Sequence, residues 1–406
     1  MFDVEKIRKD FAMIRNNPEL IYFDNGATTY KPDNVIKAIN DYYSFYNSNV
    51  LRGEYTTAVK ADQAYGNTRK VISELLNCDK DEVSFLANIT ACLNQISYGL
   101  SKKYLNRGDK VLLTYAEHAS NLLPWYRLQK ELNIEIEYIP LDRQGNIDLV
   151  EFEKMFDDNV RVVSIAYVGN VLGNIQPVKE ISEIVHRNNA LIVVDGAQAI
   201  GHMKIDVRDL DVDFFCFSAH KMLGPDGVGV LYGKSELLRD MEPLILGGGM
   251  NARFDKEGNV IYKEGPERFE AGTPNIEGVI GLAEAAKYLM EVGLDNIHRY
   301  ETELKQHMID KMKDLSNIEI YNPDNISSTV SFNIRDIFAQ DVATYLSTKN
   351  IAVRSGNHCA KILHNLIGTD QSIRASLYLY NTREEIDYFV DVVANTTLED
   401  TINVFL

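Results

Sequence analysis

Phe215–Gly229 reads FCFSAHKMLGPDGVG, and the architecture of the chain is decided around it. It opens on an aromatic run with the look of a buried strand. It turns through Ser218, Ala219, His220 and Lys221 into a loop rich in Gly224, Pro225, Gly227 and Gly229. An amine flanked by small hydrogen-bonding side chains on permissive backbone suggests a cofactor site. A solvent-exposed lysine in an ordinary strand-to-loop turn is the plainer alternative. The rest of the chain separates the two.

Upstream of this stretch, strand and helix patterns alternate. Lys110–Thr114, Ile134–Ile139, Val162–Tyr167 and Ala190–Val194 read as strands, with helices over about 121–132, 148–156 and 178–188 between and after them. LIVV at 191–194 is apolar throughout, as expected of a strand covered on both faces. Phe214–Ser218 and Val228–Tyr232 add two more strands. Such alternation predicts an α/β fold with a mostly parallel sheet between helices, and ligands bound beyond the carboxyl ends of its strands. Nearer the N-terminus, 4–16 reads as one amphipathic helix, Ile21–Gly26 as a strand entering a turn, and Val83–Ala87 as a strand leading into a helix after Asn88. Residues 245–275 break the pattern as a long polar excursion. From Ile318 the character becomes α+β, with short strands at Ile318–Tyr321, Thr329–Asn333 and Ala352–Arg354. This predicts a second, smaller domain, in keeping with a length of 406 residues.

A net charge of −17 argues against a nucleic-acid partner. No apolar run is long enough to span a bilayer, and the first residues lack the apolar core of a signal peptide, so a cytoplasmic location is expected. Cys78, Cys92, Cys216 and Cys359 are widely spaced with no paired motif. That pattern predicts free thiols and no zinc site.

Several residues are placed to carry chemistry. Asp195 ends the strand LIVV, where a carboxylate projects into the ligand crevice or caps the next turn; Gln198 follows it. Asp195 and Lys221 on neighbouring strand ends fit pyridoxal phosphate, which a lysine binds covalently while an acid pairs with the ring nitrogen. Ser218, His220 and Thr90, the last at a helix N-terminus, suit its phosphate. His118 follows a strand and is either a ring-stacking imidazole or a surface histidine. Asn170, after another strand, can contact substrate. Arg374 suits a substrate carboxylate, or alternatively an interdomain ion pair. Cys359 lies in VRSGNHCAK, on a flexible loop with Arg354 and His358 nearby, and cationic neighbours favour a thiolate. It is the one cysteine whose context suggests a nucleophile.

Taken in order, YFDNGATT, HASNLLPW, VGNVLG, VVDGAQAIGH, FSAHKMLGPDGVGVLYG, RFEAGTPN, IAVRSGNHCA and IRASLYLYNT resemble the fold-type-I pyridoxal phosphate enzymes, and among them the group II (SufS-type) cysteine desulfurases. The resemblance implies a large domain over 21–292 with a seven-stranded sheet, and a small domain from 1–20 and 293–406 that carries the cysteine loop. It implies that Lys221 holds the cofactor and shuttles protons, that Asp195 meets the ring nitrogen, Gln198 the ring hydroxyl and His118 the ring face. Thr90, Ser218 and His220 would hold the phosphate, joined by Thr273 from the other subunit of a homodimer. Arg374 and Asn170 would bind the substrate carboxylate, with Arg52 and Arg354 at the cleft mouth. Cys359 would take sulfur from L-cysteine, leaving L-alanine and a persulfide for a SufU- or SufE-type acceptor in iron–sulfur cluster assembly. Selenocysteine lyase, or another lyase or aminotransferase of the same fold, is the alternative. The chain departs from the family pattern at Asn88-Ile89-Thr90-Ala91-Cys92, where Gly-Thr-Thr-Glu-Gly is common. It departs again at Asn357 in place of a histidine, at Lys361-Ile362 where a proline is common, and at Gln340, where relatives with a zinc-containing acceptor carry histidine.

Overall fold

The computed structural model describes residues 2–51, 53–321 and 323–404. Its centre is a seven-stranded sheet in the order Val83–Leu86, Gly229–Gly233, Phe214–Ser218, Leu191–Asp195, Val160–Ala166, Lys110–Thr114, Glu135–Ile139. Gly229–Gly233 alone runs against its two neighbours; the other pairings are parallel. The alternation of side chains along each strand fills two separate layers. Ile192, Val194, Phe215 and Val230 join one hydrophobic cluster, while Val193, Phe214, Cys216 and Leu231 join the other. Both faces are therefore covered, which is why these strands read as unbroken apolar runs.

The smaller sheet is antiparallel, ordered Ile318–Tyr321, Thr329–Ile334, Ser372–Ser376, Arg354–Gly356. Ser372–Ser376 is not evident in the sequence. Its polar residues are all buried because two partner strands enclose it. The single strand expected at Ala352–Arg354 is instead two. Ile351–Ala352 pairs in parallel with Ile21–Tyr22, and Arg354–Gly356 pairs with Ser372–Ser376. The register sets Arg354 opposite Arg374. Phe23 enters the hydrophobic cluster of the smaller sheet with Phe332 and Phe389, so the segment after Ile21–Tyr22 is drawn to the seam between the two sheets.

Two further expectations are corrected. The helix over 4–16 is two helices, Val4–Arg8 and Ala12–Asn16. The chain bends between them to bury Phe11 fully and to place the Asp10 carboxylate 2.9 Å from the Tyr288 hydroxyl. The excursion over 245–275 contains a hairpin, Asn251–Phe254 with Val260–Tyr262. Its turn is closed by Asp255, whose Oδ1 accepts from the Glu257 and Asn259 N–H groups at 2.9 and 2.7 Å. Among the described residues no helix is long and apolar enough to cross a membrane.

Candidate active site

The carboxyl ends of four neighbouring strands and the start of one helix converge on a cleft of ≈ 320 Å³. Asp195, Lys221, His118, Cys359 and Arg374 all line it. Each is delivered by local structure. Asp195 is the last residue of Leu191–Asp195, and its Oδ1 accepts from the Ala197 N–H at 2.9 Å. Lys221 closes the short turn Ala219–Lys221 that leaves Phe214–Ser218. Burial pulls its amine down to about 8, although the Asp195 charge pulls the other way. Burial likewise raises the Asp195 carboxyl, which Lys221 opposes. The two groups thus share one enclosed, low-dielectric space.

The helix Ile89–Lys103 begins at the cleft. Asn88 caps it by accepting from the Ala91 N–H at 2.9 Å, and the Ser218 hydroxyl oxygen accepts from the Ile89 N–H at 2.9 Å. Ser218 accepts in that bond, so its own hydroxyl proton is available to a ligand. Gly229 permits this approach: a Cβ there would lie 2.3 Å from the Asn88 carbonyl carbon. Thr90 Oγ1 sits 2.7 Å from Ser120 Oγ, which is 3.0 Å from His118 Nδ1. The Ser120 N–H can only donate, and it lies 3.1 Å from the same Nδ1. The His118 proton is therefore on Nε2. Burial first, then the cations of Lys221 and Arg374, pull the imidazole down to about 4, so it is neutral. His220 lines the cleft, while its carbonyl accepts from the Thr29 N–H at 2.9 Å. Gln198 lines it too and donates from Nε2 to the Gly26 carbonyl at 3.0 Å.

Arg374 is buried in Ser372–Ser376. It donates to the Asn170 carbonyl at 2.9 Å and reaches Asp24 at a long 3.4 Å. Its Nε and the Asn170 Oδ1 are buried without partners among the described residues. The ion pair read as the alternative is thus present, alongside the place of Arg374 in the cleft lining. Asn170 Nδ2 donates to the His358 carbonyl at 2.7 Å. Asn170 therefore holds the cysteine turn as well as lining the cleft, a role the sequence did not suggest. The Cys359 carbonyl accepts from the Ala119 N–H at 2.9 Å, and the residue is exposed. His358 and Cys359 both have left-handed backbone, with φ of 49° and 59°. Two such non-glycine residues together cost on the order of 1–3 kcal/mol each, strain that gathers at functional sites.

Thr273 is exposed and lies outside this cleft, next to the left-handed Gly272. Arg52 falls outside the described residues. Arg354 is at the cleft, opposite Arg374 in register. Ser120, Asp24 and His358 belong to the site and were not singled out as site residues from sequence. Ser120 and Asp24 sit inside motifs already quoted, two residues from His118 and after Phe23, which is the signal that would have found them.

The aminotransferase class-V family model matches residues 21–389. A probable cysteine desulfurase of Halalkalibacterium halodurans is 42% identical over 391 residues, covering 95% of this chain and 96% of that protein. The chain belongs to the class-V aminotransferase family, on its cysteine desulfurase branch. A probable cysteine desulfurase of Staphylococcus epidermidis is 40% identical, with 97% of each chain covered. The apo cysteine desulfurase of Thermococcus onnurineus superposes with a TM-score of 0.92 at 38% identity, over 96% of this chain and 97% of that one. The Escherichia coli cysteine desulfurase CsdA, in an S-sulfonic acid form, gives 0.91 at 29% identity, over 100% and 99%.

Proposed function

We infer that this chain is a pyridoxal phosphate-dependent cysteine desulfurase, with Cys359 as the sulfur acceptor. The observation that carries this is the meeting of Cys359 with Lys221, Asp195 and Arg374 in one cleft. The residues present fit the cofactor. An enclosed lysine amine faces a buried acid, hydroxyls of Ser218, Thr90 and Ser120 surround a helix start, and His118 is held as a neutral imidazole. Lys221 would hold the cofactor, Asp195 its ring nitrogen and Gln198 its hydroxyl, with Thr90, Ser218 and His220 around the phosphate. When bound, the group supplies an electron sink for the carbon next to the substrate amine.

The chain's own residues then divide the work. Arg374 anchors the substrate carboxylate with the guanidinium it presents to the cleft, and Arg354 adds a second cation at the mouth. Lys221 Nζ, with its lowered proton affinity, takes the α-proton near neutral pH. Cys359 Sγ forms a bond to the substrate sulfur as the carbon–sulfur bond breaks. The products are L-alanine and a persulfide on Cys359. The exposed position of Cys359 suits onward transfer to a SufU- or SufE-type acceptor in the cytoplasm, for iron–sulfur cluster assembly. Thr273, exposed and away from its own cleft, is suited to reach a second copy's phosphate in a homodimer.

The test is alanine and sulfide production from L-cysteine by wild type and Cys359→Ser. The serine variant should lose alanine formation by about a hundredfold or more while keeping its cofactor absorbance. Equal turnover by both would remove Cys359 from the mechanism. Selenocysteine, run in parallel, should show the weaker dependence on Cys359 if the lyase alternative holds. Lys221→Ala should lose the cofactor absorbance.

A further inference from the structure

The turn that carries Cys359 is braced on two sides. The large domain holds its front through the Asn170 and Ala119 contacts already described. A second set of bonds holds it from behind, all within the small domain. His358 Nε2 lies 3.0 Å from the Ser372 carbonyl oxygen and 3.2 Å from Ser372 Oγ. His364 Nε2 lies 3.0 Å from the same Oγ, and His364 Nδ1 lies 3.1 Å from the Ala360 carbonyl oxygen. His358, Ser372 and His364 are all buried. Asn357, one of the departures from the family pattern, adds a bond from Nδ2 to the Asp370 carbonyl.

Carbonyl oxygens only accept, so these contacts admit one arrangement of protons. His358 donates from Nε2 to Ser372. His364 donates from Nδ1 to Ala360, which leaves its Nε2 to accept the Ser372 hydroxyl proton. Both rings are neutral, as their burial requires. His358 Nδ1 then keeps a lone pair, buried and without a partner among the described residues. Every other polar atom of the chain of bonds is satisfied by its direction.

Where this chain leads is informative. Ser372 and Arg374 are two apart on the strand Ser372–Ser376, so they face the same side of the sheet. His364 lies on the helix Lys361–Leu366, directly after the cysteine turn. The bonds therefore tie the nucleophile's turn to the strand that carries the carboxylate clamp. We propose that His358, Ser372 and His364 form a hydrogen-bonded strut that fixes the Cys359 turn in register with Arg374, so that Ser372 and His364 are positioning residues for sulfur transfer. This rests on the desulfurase reading above. Ser372 and His364 do not line the cleft, and act on it only through the turn they hold.

The test uses the holoenzyme and the variants Ser372→Ala, His364→Leu, the double variant, and Ser372→Thr, which keeps the hydroxyl. Each is followed by kcat and KM for alanine formation, by cofactor absorbance, and by the rate at which iodoacetamide alkylates Cys359. Ser372→Ala and His364→Leu should each lower kcat by about tenfold or more, leave KM and cofactor absorbance near wild type, and speed alkylation of Cys359. The double variant should be no worse than either single one, because both cut the same chain of bonds. Ser372→Thr should restore kcat. Wild-type kcat and alkylation rate in folded variants, with only the thermal midpoint lowered, would show the bonds to be merely structural and overturn the strut. Should His364→Leu not fold, His364→Gln measures the same quantities with a polar side chain retained. If wild type itself makes no alanine from L-cysteine, the desulfurase reading falls, while the alkylation rates still decide whether the strut holds the turn.

Discussion

Lys221 shows how far enclosure alone reshapes a side chain. Burial removes water from the ammonium, and the guanidinium groups of Arg374 and Arg354 repel it further; Asp195 partly restores it. The neutral amine that must meet an aldehyde cofactor is thus populated as pH rises through about 8, not through the ordinary lysine range. Cofactor uptake by the stripped protein should accelerate with rising pH and level off above that value, as followed by absorbance. Asp195→Asn removes the larger of the favourable charges, that of Cys359 being the smaller, so the midpoint should move lower still. An unchanged midpoint would mean that the carboxylate does not act on the amine. Arg374→Lys keeps the charge but loses the fork. It should raise KM for L-cysteine by roughly ten- to a hundredfold, equivalent to about 1.5–3 kcal/mol of charge-assisted bonding, with a smaller effect on kcat. A KM within error of wild type would place the carboxylate elsewhere. His118, already neutral, should contribute no acidic limb to activity between about pH 5 and pH 8.

The elements that frame the cleft are fastened by a few buried polar groups. Glu270, on the loop three residues before Thr273, accepts from Arg69 at 2.9 and 3.0 Å, from the Phe85 N–H at 2.8 Å and from the Tyr65 hydroxyl at 3.1 Å. It ties that loop to the helix Thr56–Leu76 and the strand Val83–Leu86. Asp213 does similar work at the entrance to Phe214–Ser218. It accepts from the Ile192 N–H at 2.8 Å and from His186 Nε2 at 3.0 Å, and it pairs with Lys234 at 3.0 Å. Asp213→Ala strands a strand N–H and leaves Lys234 and His186 to Asp211 alone, so it should cost about 1–3 kcal/mol, read from denaturant unfolding. The Asp213 bond is the first cause of the raised proton affinity of His186. A raised native value stabilises the fold below the unfolded value and loses that contribution as pH climbs through the native one. Wild type should therefore lose a little stability at this site as pH climbs above the ordinary histidine value, and Asp213→Ala should show less of that slope. At this scale the sequence was legible where apolar runs were long. Lys110–Thr114, Phe214–Ser218 and Ile318–Tyr321 are found where their patterns placed them. Ser372–Ser376 was not, because its serines and arginine are buried only through pairing on both edges with strands distant in the chain.

As a whole molecule, the protein brings residues from both sheets to one seam. Cys359 and Arg374 come from the small sheet region, Lys221 and Asp195 from the large one, and the contacts of Asn170 with His358 and Arg374 join them. Thr273 is exposed and does not line the cleft of its own chain, and the homodimer proposed above would bring it to the cleft of a second copy. Sedimentation of the holoenzyme should give twice the chain mass, and Thr273→Ala should weaken cofactor retention on dilution. A monomer of full activity would exclude a residue donated by a second copy.

By itself the sequence determined the layered α/β core, because apolar strands covered on both faces leave an unmistakable pattern. It also named Lys221, Asp195, Arg374 and Cys359, which the fold brings to one cleft, because the motifs that hold them, taken in order, resemble one family. What only the tertiary structure decided is the geometry among them. The stretch at Phe215–Gly229 supplies the amine, but its lowered proton affinity comes from enclosure by residues from other strands. The cysteine turn is legible as a loop, yet the bonds that brace it join Asn170, Ala119, Ser372 and His364. Burial and hydrogen-bond direction depend on neighbours far apart in the chain, and no local pattern records them.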